Sequence, residues 1–95
     1  MPTYVVLGKL SQQGIQTIKD VPKRRAAADS AEALGITLRE RMLTMGRYDV
    51  VMILDAPDDQ AVAKFVLQTG MRGNLSTETL RAFGEAETEA LLGSL

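Results

Sequence analysis

The run Val50-Val51-Met52-Ile53-Leu54, entered from Thr44-Met45-Gly46-Arg47-Tyr48-Asp49, is apolar at five consecutive positions. A strand turns alternate side chains to opposite faces, so this one presents apolar groups front and back. A chain of 95 residues has few ways to cover both. A domain this small buries only about two thirds of the surface its unfolded chain exposes. Its own core is thin, and a second copy is a natural cover for any face left bare.

The rest of the pattern reads as one domain over residues 1–95, without repeats or linkers. Tyr4 to Leu10 forms a first strand. Ser11 caps a short helical turn, and a longer helix runs from Asp20 or Val21 to Leu34. Pro22 suits its first turn, where an N–H would have no partner, and Gly35 ends it. Ala26, Ala27, Ser30, Ala31 and Leu34 give that helix a stripe of small residues. Strands follow over about Ile36 to Met45 and Tyr48 to Asp55, with Gly46-Arg47 as a two-residue turn. Ala56-Pro57-Asp58-Asp59 opens a helix whose buried face is Val62, Phe65, Val66 and Thr69. Leu75 to Phe83 is the last strand, and Glu85 to Leu95 is a weakly helical tail that either frays or reaches a partner.

Right-handed crossovers in the order β-α-β-β-α-β produce a ferredoxin-like α+β fold, an antiparallel sheet in the order 4-1-3-2. The two central strands are then the two most apolar ones. Helices cover only one face, and exposing the other would leave a sizeable apolar patch. Two sheets meeting face to face, a dimeric α/β barrel, remove it.

Composition narrows the chemistry. No cysteine or histidine is present, which excludes disulfides, thiolate catalysis and the usual base near neutral pH. No cofactor is implied. A metal would need carboxylates such as Asp55, Asp58 and Asp59, and helix capping explains at least two of these. The formal charge of −1 argues against nucleic acid and anionic membranes as partners. Met1-Pro2-Thr3 leads straight into a strand with no signal peptide or spanning segment, so a cytoplasmic location is expected.

Alternation dissects the hairpin. One face takes Arg39, Arg41, Leu43, Met45, Tyr48, Val50, Met52 and Leu54. The other takes Leu38, Glu40, Met42, Thr44, Asp49, Val51, Ile53 and Asp55. Arginines beneath helices are hard to solvate, so the first face is expected to be the open one. Arg39 and Arg41 would clamp an acidic group, beside Tyr48 and Met52, with Arg81 from the last strand. The ordinary alternative for the arginines is charge that blunts an edge strand. Tyr48, Asp49 and Glu78 are the candidate acid–base groups, although Tyr48 and Asp49 should diverge. Asp49 serves equally well as an acceptor for hairpin amides, and Gly46 as the turn residue with positive φ. Lys23-Arg24-Arg25 opposes the dipole of its helix, which suits either a solvated face or a recruited anion.

With these residues in view, the chain resembles the GYD-domain proteins, a group of short bacterial proteins. The resemblance rests on Gly46, Tyr48 and Asp49, on Tyr4 to Leu10, Gln13-Gly14-Ile15 and Pro22-Lys23-Arg24. It continues through Leu43 to Val51, Ala56 to Asp59 and Thr77 to Phe83. It implies a ferredoxin-like domain of the dimeric-barrel kind and no particular reaction, because fold does not dictate function. The expected function is a homodimer binding a small organic acid between its sheets. The alternatives are a cofactor-free enzyme acting on such a ligand and a structural or regulatory module without one.

Overall fold

The computed structural model describes residues 1–95. The elements are β1 (Thr3–Leu10), α1 (Gln12–Gln16), α2 (Val21–Ala33), β2 (Thr37–Leu43), β3 (Val50–Asp55), α3 (Asp59–Met71), β4 (Leu75–Ala82) and α4 (Glu85–Gly93). Side chains that satisfy free amides start the first three helices. Ser11 Oγ accepts from Gly14 N–H at 3.0 Å, Asp20 Oδ1 from Lys23 N–H at 3.2 Å, and Asp58 Oδ1 from Ala61 N–H at 2.9 Å. Gly14 also allows a close crossing. A Cβ there would stand 2.1 Å from the carbonyl oxygen of Asn74, which itself accepts the Ser11 N–H at 3.0 Å.

The four strands form one antiparallel sheet in the order β2-β3-β1-β4, which is the ferredoxin-like order read from the other edge. β1 and β3 are central. Tyr4 pairs with Leu54 and Val6 with Met52, and these four side chains are buried together with Ala31, Val62 and Phe65 from the helices and Ile36 from the link between α2 and β2. The opposite face of the same strands carries Val5, Leu7, Val51 and Ile53, none of them fully buried. Only 13 of the 95 residues are buried, so the molecule is a two-layer slab of 48 × 30 × 17 Å.

Three expectations are corrected. First, the face bearing Met52 and Leu54 lies under the helices, and the face bearing Val51 and Ile53 is the open one. Both sets are apolar, so hydrophobicity could not rank them; Tyr4 and Val6, packing with Phe65 of α3, decide the matter. Second, a β-bulge between Leu38 and Glu40 inserts Arg39 as an extra residue, so Leu38 and not Arg39 faces Leu54. A bulge reverses the alternation beyond it, and Arg39 and Arg41 therefore part. Third, the hairpin closes through Met45 to Tyr48, not through Gly46-Arg47 alone. Thr44 N–H donates to the carbonyl of Asp49 at 2.8 Å. The longer loop keeps Arg41 opposite Met52 and Leu43 opposite Val50. Gly46 adopts φ = +111° in it, a region that favours glycine.

Candidate functional site

The residues expected to share one pocket are distributed over three places. Tyr48, at the foot of β3, reaches the open face, where its hydroxyl donates to the Glu78 carboxylate of β4. That hydrogen bond, with some desolvation and the charge of Glu78, raises the Tyr48 phenol above its ordinary value of 10.0. Asp49 takes a different partner. Its N–H donates to the Gly8 carbonyl at 2.8 Å, and its Oδ2 accepts from Leu10 N–H, also at 2.8 Å. It fastens the end of β1 to the hairpin. Arg39 lies 3.6 Å from Asp55, with its side chain 54% exposed, a geometry worth little energy. Asp55 also accepts from Thr3 Oγ1 at 2.7 Å.

The second place is the end of the sheet near α3. Tyr4 donates its hydroxyl to Asp59 in the first turn of that helix. The hydrogen bond, burial and the Asp59 charge raise its phenol above 10.0. Arg81 lies over the rings of Tyr4, at 5.7 Å, and Phe83, at 4.4 Å, and approaches Glu87 of α4 to 3.3 Å. Arg81 therefore stands on the helix side and well apart from Tyr48. Sequence reasoning passed over Tyr4 as a donor and weighed Asp59 only as a helix-capping or metal-binding carboxylate. The available signal was that Tyr4 shares a strand face with Val6, so that a buried phenol there needs a partner.

The third place is a cavity of about 160 Å³ between the sheet, the start of α2 and the end of α3. Arg41 and Met52, expected on the open side, line it instead. Arg41 Nη1 donates to the Arg24 carbonyl at 3.1 Å. Desolvation, and then the neighbouring Arg24 charge, lower its affinity for its proton. Lys23, Arg24 and Arg72 stand around the same cavity, and Asp20 is the acid among them. Val50, Phe65 and Leu75 add apolar wall. Arg72, in the Gly70-Met71-Arg72-Gly73 break that is too weak to read as a phosphate loop, gains significance only because the fold sets it at the same cavity as Arg41.

Comparison with known sequences decides the family. The sequence model of the GYD domain matches residues 4–92. The chain belongs to the GYD-domain family. A protein of Thermus thermophilus named glutamine synthetase and cystathionine beta-lyase binding protein is 31% identical over 94 residues, covering 97% of this chain and 99% of that relative. No solved structure matches the chain. In this GYD domain, Gly46, Tyr48 and Asp49 have separate partners: a positive-φ turn, a carboxylate on the open face and the backbone of β1.

Proposed function

We propose that this GYD-domain protein is a homodimeric binding module that acts by docking onto a metabolic enzyme. The open face of the sheet carries the proposal. Its centre, Val5, Leu7, Val51 and Ile53, is apolar, and the edge strands extend it with the exposed Met42 and Leu80, set among Thr37, Glu40, Ser76 and Glu78. A contiguous exposed apolar patch interspersed with polar groups marks a protein interface. The same patch on two copies supports a two-fold, self-complementary contact. The name of the Thermus relative, a binding protein for two enzymes, supports a function exercised through protein contact. Catalysis has less support. The Asp49 carboxylate is occupied by an amide, and the Tyr48 phenol is moved away from the range of a neutral-pH proton donor.

Sedimentation tests both parts. At micromolar concentration the chain should run at twice its 10.3 kDa mass, and Ile53→Glu should return it to a single chain with unchanged circular dichroism. Mixed with glutamine synthetase or cystathionine beta-lyase, the protein should co-sediment with one of them. A parent chain that stays monomeric overturns the dimer. Failure to travel with either enzyme overturns the docking partner.

A further inference from the structure

The cavity under α2 gathers positive charge that the protein itself does not neutralise. Lys23, Arg24, Arg41 and Arg72 all stand on it. The two ion pairs of the molecule, Arg39–Asp55 and Arg81–Glu87, lie elsewhere. The single acid at the cavity, Asp20, is already engaged by the Lys23 amide as the cap of α2. A chain of 11 basic and 12 acidic residues thus places four cations and one carboxylate around one hollow. The Arg24 charge opposes that of Arg41, and the arrangement makes physical sense when an anion joins them. Behind the cations the wall is apolar, formed by Met52, Phe65 and Leu75.

We infer that this cavity binds a small organic carboxylate. Arg41 holds the carboxylate, Arg24 and Arg72 add charge beside it, and the apolar body of the ligand rests against Met52 and Leu75. The size suits such a ligand. An apolar cavity of about 150 Å³ accepts a benzene ring, so there is room for a body of about six carbons. The lowered proton affinity of Arg41, caused by desolvation and by Arg24, marks charge that an anion would stabilise. The inference stands apart from the dimer: the cavity lies on the helix side of the sheet, within one chain.

An NMR titration of methyl-labelled protein tests it, with hexanoate, hexanol, acetate and hexyl phosphate as probes. Hexanoate should shift the Met52 methyl at millimolar concentration, while hexanol and acetate each bind at least about tenfold more weakly. Arg41→Gln should weaken hexanoate about tenfold, and Arg39→Gln should leave it unchanged. Added salt should weaken binding to the parent. If Arg41→Gln does not fold, the exposed Arg24→Gln decides, with an expected loss of about threefold. Hexanol binding as tightly as hexanoate overturns the inference. So does hexanoate that leaves Met52 unmoved, or that binds the Arg41 or Arg24 variant as tightly as the parent. Hexyl phosphate binding more tightly than hexanoate overturns the carboxylate assignment.

Discussion

The Tyr48 hydroxyl donates to the Glu78 carboxylate on the open face of the sheet, joining the foot of β3 to β4. The other tyrosine, Tyr4, makes the same kind of bond to Asp59 on the helix side. Each pair joins a phenol to a carboxylate far away in sequence, and each holds its phenol in the neutral form.

The first prediction follows from that pairing. The chain has two tyrosines and no tryptophan, so an alkaline absorbance titration reads these two groups alone. Both should ionise above 10.0. Glu78→Gln should lower the Tyr48 midpoint, and Asp59→Asn the Tyr4 midpoint, because a carboxylate acceptor favours the protonated phenol. A phenol whose folded value is raised contributes stability in full below its unfolded value near 10. That contribution is lost as pH rises through the folded value. Denaturant midpoints should therefore show no pH dependence from these phenols near neutrality, where their contribution is complete, and fall only in the alkaline limb.

Core substitutions should be costly in so thin a slab. Phe65 is 1% exposed, and Phe65→Ala should lose about 3–5 kcal/mol through lost burial and a residual cavity. That is a large share of the roughly 5–15 kcal/mol typical of a domain. Leu67, on the same helix but 66% exposed, should tolerate alanine within about 0.5 kcal/mol. Urea denaturation of the two variants measures the contrast.

Two glycine replacements should have opposite signs. Gly14→Ala drives a methyl into the Asn74 carbonyl and should cost about 1–3 kcal/mol, as overpacking does. Gly70, inside α3, has open space where its Cβ would be. Gly70→Ala should stabilise by about 0.5–1 kcal/mol through helix propensity. Thermal unfolding should place the two variants on opposite sides of the parent.

Asp58 is the cap of α3, accepting the Ala61 amide. Asp58→Ala should cost about 1 kcal/mol and Asp58→Asn much less, since asparagine caps almost as well. Equal losses for both in a denaturant series would show that the carboxylate has some other task.

Much of the architecture was legible before any coordinates. Punctuation by Ser11, Pro22, Gly35 and Pro57, with two apolar strands among four, leads to the observed sheet order. Local pairing in the hairpin was legible as well, because Arg41 stays opposite Met52 under any even-numbered loop. The site was less legible. Of Arg39, Arg41, Tyr48, Met52 and Arg81, only Arg41 and Met52 share a pocket in the folded chain, and the bulge at Arg39 has no signature in composition or period.

Sequence alone determined the elements and their order, because capping, proline and glycine act over a few residues and apolar period acts along a single strand. Only the tertiary structure decided which face of β3 goes under the helices. With Val51 and Ile53 as apolar as Met52 and Leu54, that choice falls to distant partners, Tyr4, Val6 and Phe65. The same packing brings Lys23, Arg24, Arg41 and Arg72 around one cavity, a meeting of charges from three separate elements that no local pattern encodes.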